Sequence, residues 1–183
     1  APTSDKLCGK SRPGHFDGVI TIVNRLFETI KPEACIFGAK DFQQQLIIKH
    51  LIKQKHRHIK FISAPTERDE NGLALSSRNN YFSESEKIEA SLIFKFLSSM
   101  SFELKLLPQT NKKNFLSEME SIQKKYHKKI EEKGFEVDYL ELLDPKTLEK
   151  FELNSQKMLV AIAVFFKKVR LIDNLIIDLT SSS

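Results

Sequence analysis

A short apolar run, Ala34-Cys35-Ile36-Phe37, passes through a charged, glycine-containing turn into a stretch where Leu46, Ile47, Leu51 and Ile52 recur at helical spacing. A second run, Ile59-Lys60-Phe61-Ile62-Ser63, follows within a few residues. Strand, helix and strand joined by such short links predict a right-handed parallel crossover. Upstream, Val19, Ile22, Val23, Leu26, Phe27 and Ile30 fall on one face of a helix that Pro32 ends, and that face needs a sheet to cover. The reading is α/β, with a partial doubly wound parallel sheet. It is partial because a pair of strands does not make a stable sheet of this kind by itself.

The turn after the first strand, Phe37-Gly38-Ala39-Lys40-Asp41-Phe42-Gln43-Gln44, is where chemistry is expected. Ligands of open α/β sheets collect outside the carboxyl ends of the strands, where amides at the next helix start face an anion. Gly38 permits close approach and Lys40 supplies a mobile positive charge for phosphate. Asp41 has two roles open to it, as the N-cap of the following helix or as a ligand group.

Ala1 to Lys10 has no periodicity and reads as a frayed start. Ser11 to Gly18, with one proline and two glycines, reads as a loop in which Arg12 and His15 bind phosphate or simply satisfy local backbone. Pro65 marks a hinge, which divides the chain into domains at 1–65 and 66–183. Beyond it, Asn71-Gly72 predicts a tight turn. Leu75-Ser76-Ser77-Arg78 can cradle phosphate with two hydroxyls and a forked guanidinium, or be a helix cap beside a surface charge. Ser83 to Glu86 fits a capping box opening one helix through Ile88, Leu92, Ile93, Phe96 and Leu97. A lysine-rich helix from about Asn111 to Lys133 comes next, with strands at Phe135–Leu143, Met158–Phe166 and Leu175–Leu179. Mixed elements after the hinge indicate an α+β second domain.

Composition is that of an ordinary globular chain, 40% hydrophobic and 29% charged in 183 residues. No apolar run is long enough for a membrane helix, and no signal-peptide pattern opens the chain, so the expected location is cytoplasmic. Cys8 and Cys35 lack metal-ligand spacing and are read as reduced thiols, with no metal site expected. The formal charge of +5 admits an RNA-binding reading. The densest basic run, Lys53 to Lys60, is equally explained by favourable charge at a helix C-terminus, and His56 and His58 lack a third metal ligand.

Three segments in order, Ser11-Arg-Pro-Gly-His-Phe-Asp-Gly18, Phe37-Gly-Ala-Lys-Asp-Phe-Gln-Gln44 and Gly72-Leu-Ala-Leu-Ser-Ser-Arg-Asn79, together resemble the pantothenate synthetase family, and Arg170-Leu-Ile-Asp-Asn174 extends the likeness towards the C-terminus. The resemblance implies a Rossmann-like nucleotidyltransferase sheet followed by a smaller α+β C-terminal lid domain. It implies a ligase that activates pantoate with ATP as pantoyl adenylate and then joins it to β-alanine, with Mg2+ accompanying ATP and a homodimeric parent. By resemblance the ATP site takes Gly38, Ala39, Lys40, Asp41, Glu67, Leu75, Ser76, Ser77 and Arg78, with Lys40 and Arg78 as the catalytic cations. Gln44 would hydrogen-bond pantoate. Neither nucleic acid nor membrane is an expected partner.

The chain departs from the family's pattern at Ala39, where Glu or Gln is usual, at Glu67, where an apolar residue is usual, and at Gln45, which replaces a usual leucine. The family's His-x-Gly-His segment does not occur, so the expectation is a truncated piece, inactive alone. Another adenylate-forming nucleotidyltransferase, such as a relative of the aminoacyl-tRNA synthetases, and a non-catalytic basic RNA-binding module are the alternatives.

Overall fold

The computed structural model describes residues 3–153 and 155–180. Its elements run α1 (Cys8–Ser11), α2 (His15–Ile30), β1 (Ala34–Gly38), α3 (Phe42–Lys55), β2 (Lys60–Ala64), α4 (Glu84–Ala90) and α5 (Leu92–Lys105). They continue with α6 (Lys112–Glu131), β3 (Glu136–Leu143), β4 (Lys157–Phe166) and β5 (Val169–Asp178), and short 3-10 turns cover Ala39–Asp41 and Ser77–Tyr81. Two units result, one running to Thr66 and taking in Lys146–Leu148, the other formed by Glu67–Pro145 with the residues from Glu149 on.

In the first unit β1 and β2 pair in parallel, with Ile36 opposite Ile62 and Phe37 opposite Ser63. Alternation along a strand sends Cys35, Phe37 and Phe61 to one face, where they meet Phe27 of α2 and Ile48, Leu51 and Ile52 of α3. The other face shows Ile36 at 67% and Ile62 at 37% exposure. The stripe on α2 is therefore only half used: Phe27 is buried and Val19 and Val23 pack beside it, while Ile22, Leu26 and Ile30 stay exposed.

The helix α2 begins before its apolar stripe, at His15, so the expected loop is helical over its second half. Gly14 takes φ 77°, which turns the chain just ahead of the first helical residue, and Gly18 passes without breaking the helix. The opening stretch is also less frayed than its composition suggests. Buried Gln43 donates to the carbonyls of Thr3 (2.7 Å) and Lys6 (2.6 Å) and accepts from the Cys8 amide (3.1 Å). Ala1 and Pro2 lie outside the described residues.

In the second unit β3, β4 and β5 form an antiparallel meander with β4 central, and β4 is buried almost throughout. Its core joins Ile93, Leu97, Met100 and Leu104 of α5, Phe115, Met119 and Ile130 of α6, and Met158, Val160, Ile162 and Val164 of β4. Two expectations need correction. The helix opened by the Ser83–Glu86 capping box breaks at Ser91, whose hydroxyl donates to the Ile88 carbonyl at 2.6 Å, giving α4 and α5 rather than one helix. The last strand starts at Val169, not Leu175, because side chains elsewhere in the unit take up the polar groups of Arg170 and Asp173.

Candidate functional site

The first unit carries the turn. Strand β1 ends at Gly38 with an extended backbone (φ −70°), and a Cβ built there meets nothing within 4 Å, so the glycine leaves open space. Ala39, Lys40 and Asp41 form a 3-10 turn that leads into α3 at Phe42. Asp41 stands at the N-cap position, yet its carboxylate makes no cap hydrogen bond and the residue is exposed. The capping role is thus unfilled, which leaves the carboxylate at the surface of the turn. Lys40 and Gln44 are half-buried.

Arg12 and His15 lie together, with Nη1 3.2 Å from Nε2. Burial, and then the Arg12 guanidinium, hold the His15 pKa below its ordinary value, while the charge of Asp41 pulls it up.

Beneath the turn Gln45 points inward. Only 2% of it is exposed, and its carboxamide reaches the Phe37 carbonyl and the Ser63 hydroxyl.

The second unit carries the Leu75–Arg78 loop at the outgoing end of a tight hairpin. Asp69 Oδ1 accepts from the amides of Asn71 and Leu73, both at 2.9 Å, and the Leu75 amide donates to the Glu67 carbonyl at 2.9 Å. Gly72 is required twice over. Its φ is +93°, and a Cβ there would come within 2.9 Å of the Phe94 ring.

Arg68 fixes this hairpin to the sheet: its guanidinium donates to both carboxylate oxygens of Asp173 at 2.7 and 2.9 Å, donates to the Gly72 carbonyl at 3.0 Å, and lies 3.7 Å from the Phe94 ring centroid. The exposed loop follows. Ser76 Oγ accepts from the Arg78 amide (3.3 Å), capping the 3-10 turn, and Ser77 is exposed. Arg78 Nη1 donates to the Arg170 carbonyl at 3.1 Å, and Arg170 in turn donates through Nε and Nη2 to Asp138, at 3.0 and 2.7 Å. Exposed Glu67 gives its carbonyl to Leu75, and Leu75 itself is 55% exposed.

Arg68 and Asp173 are a supporting pair that sequence reasoning missed, and Gln45, named there only as a departure, is a third supporting residue. The available signal was an aspartate placed between Ile172 and Leu175, which needs a partner once the strand is buried. Among the described residues no group of three or more His, Cys, Asp or Glu side chains could hold a metal ion.

A family model described as pantoate-beta-alanine ligase matches residues 1–176. The chain belongs to the pantoate-β-alanine ligase family. The pantothenate synthetase of Shewanella piezotolerans is 40% identical over 176 residues, covering 96% of this chain and 59% of that protein. The Coprothermobacter proteolyticus enzyme of the same name is 42% identical over 177 residues, covering 95% and 59%.

A crystal structure of the Thermus thermophilus pantothenate synthetase superposes with a TM-score of 0.82 at 32% identity, covering 96% of this chain and 60% of that one. The pantoate-beta-alanine ligase of Francisella tularensis, solved with beta-gamma ATP and beta-alanine, gives 0.64 at 30% identity, covering 96% and 55%. The chain thus spans about three fifths of the length of the ligases it matches. Membership in this ligase family does not favour the RNA-module or synthetase-relative alternatives. No helix among the described residues is long and apolar enough to cross a membrane.

Proposed function

We propose that this chain contributes the nucleotide- and pantoate-binding residues of an ATP-dependent pantoate-β-alanine ligase. In that reaction the pantoate carboxylate attacks the α-phosphorus of ATP and pyrophosphate leaves; the β-alanine amine then attacks the acyl carbon and AMP leaves. Both steps bring an electron-rich group against an anionic or acyl-phosphate centre, so fixed cations and aligned donors are the resource such a site needs.

Gly38 and Ala39 give backbone access to ATP, Lys40 holds its phosphates and Asp41 meets the ribose. Glu67 and Leu75 lie against the nucleotide, and Ser76, Ser77 and Arg78 grip phosphate. Gln44 hydrogen-bonds pantoate. Magnesium travels with ATP, bound through phosphates and water, since the described residues supply no cage for it. The parent is a cytoplasmic homodimer in this reading.

The observation that carries it is the Gly38–Gln44 turn, set at the carboxyl end of a parallel strand with an uncapped aspartate and open space over its glycine, within a family match that runs through both loops. The test is exchange of labelled pyrophosphate into ATP, driven by pantoate or by amino acids. It is run on this chain alone and together with the remaining two fifths of the Shewanella synthetase. Pantoate-dependent exchange in the combined sample, lost on Lys40→Ala or Arg78→Ala, is the expected result. Exchange driven by amino acids, or indifferent to both substitutions, overturns the reading.

A further inference from the structure

We propose that Gln45 is a positioning residue for the Gly38–Gln44 turn, tying both of its ends to the strands beneath. The role in nucleotide binding rests on the function proposed above; the positioning itself rests on geometry alone.

A carboxamide that is 2% exposed must find partners inside the protein, or its desolvation goes uncompensated. Gln45 finds them at the carboxyl end of the parallel pair. Its Nε2 donates to the Phe37 carbonyl at 2.7 Å and lies 2.8 Å from Ser63 Oγ, while Ser63 Oγ lies 3.0 Å from Oε1. The Phe37 carbonyl can only accept, so it fixes which end of the amide faces the strand. The Ser63 hydroxyl supplies both a donor and an acceptor. Phe37 and Ser63 are register partners, so one side chain spans both strands.

Position in the chain gives the contact its meaning. Phe37 immediately precedes Gly38 and Gln45 immediately follows Gln44, so a single hydrogen bond closes the segment that holds Gly38, Lys40, Asp41 and Gln44. Helix α3 has no side-chain cap to fix how it leaves the strand, because Asp41 makes no such bond. The angle at which the turn presents Lys40 and Gln44 is therefore set from the first turn of α3 by Gln45. A leucine of similar bulk would fill the space and provide no donor.

The test compares the 183-residue chain with Gln45→Met, which keeps side-chain length and removes the hydrogen bonds to Phe37 and Ser63, and with Ser63→Ala, which leaves the Phe37 bond in place. Amide hydrogen exchange is read at Ala39, Lys40 and Asp41 and, as the reference, at Ile48, Leu51 and Ile52. Gln45→Met is expected to speed exchange in the turn by about tenfold with the α3 reference amides within about twofold, since the bond that closes the turn is lost locally. Ser63→Ala is expected to give a smaller rise and keeps the question decidable if the methionine variant folds poorly. Unchanged turn amides, or turn and reference amides rising together, overturn the proposal.

ATP affinity separates the two readings. If Lys40→Ala and Gln45→Met each weaken ATP and their effects are not additive, positioning is supported. If Lys40→Ala weakens ATP and Gln45→Met does not, the proposal fails. If Lys40→Ala has no effect, the nucleotide reading fails and the exchange data alone decide the positioning.

Discussion

The two units secure their loops by different means. In the first, a pair of parallel strands has one face covered and five buried residues forming its cluster, and the turn is tied by a neutral amide to backbone and hydroxyl. In the second, 23 buried residues form the cluster, and the loop is tied through ion pairs that reach across the sequence. Charge follows the same division: the first unit, residues 1–66 with 146–148, holds 12 basic and 5 acidic side chains, and the second holds 17 and 19. The second unit is built around matched charges and a full core. The first has an excess of positive charge, which suits an anionic ligand, and a smaller buried cluster to hold its shape.

The sharpest way to break that contrast is a pair of core truncations. Phe115 is 1% exposed and packs against Phe151 with ring centroids 6.3 Å apart. Phe115→Ala is expected to destabilise the second unit by about 3–5 kcal/mol. Phe27→Ala is expected to cost roughly half as much, because its smaller cluster has more freedom to relax. Urea unfolding followed at resonances of each unit checks both, and equal losses would erase the distinction.

Next in size is the Arg68–Asp173 pair, whose side chains are 15% and 4% exposed. Arg68→Ala strands a buried carboxylate and is expected to cost about 3 kcal/mol. The combined change Arg68→Met with Asp173→Leu is expected to recover most of that, since no unpaired charge remains. If the double variant is as unstable as the single one, packing against Phe94 rather than charge pairing secures the hairpin.

Smaller again is the effect on nucleotide binding. Arg78→Ala is expected to weaken ATP by about tenfold, and Arg78→Lys to recover little of it, because a point charge cannot replace a planar fork. Lys40→Ala, in the unit where Gln45 ties the turn by neutral bonds, should give a loss of similar size that shrinks faster with added salt. Isothermal titration at two salt concentrations separates them, and equal salt slopes would mean that the two loops bind by the same electrostatics.

These expectations also mark how far the residues alone could be read. The strand-turn-helix around Gly38, the capping box at Ser83 and the central strand from Met158 were legible, because each depends on local spacing or on a continuous apolar run. The break at Ser91 was not, since period 3.6 continues across it and the interruption comes from one hydroxyl. The early start of β5 was hidden because Arg170, Asp173 and Asn174 look like loop residues until Asp138 and Arg68 are known to meet them. Arg68 and Asp173 are 105 residues apart, and no periodicity links such a pair. The turn's candidate residues could be named from residue type, whereas what holds them, Gln45 and Ser63, required the register of β1 against β2.

The mildest effect concerns an ion pair of the second unit at its surface. Glu86 accepts from Lys167 Nζ at 2.5 Å and from the Ser83 amide at 2.7 Å, and these bonds, the lysine's first, bring its pKa down to about 2. Lys167 (φ 46°) and Lys168 (φ 67°) form the left-handed turn between β4 and β5, so the pair joins that hairpin to the start of α4. A carboxyl whose folded pKa is depressed contributes stability above its unfolded value, near 4.5, and loses it as pH falls towards 2. Titration of the Glu86 carboxyl carbon should therefore show a midpoint near 2, moved upward by Lys167→Ala but not fully restored, because the Ser83 amide still donates. A midpoint that does not move in Lys167→Ala would mean that the capping box alone holds the charge, and that this end of the second unit, like the turn of the first, is held by backbone and hydroxyl groups.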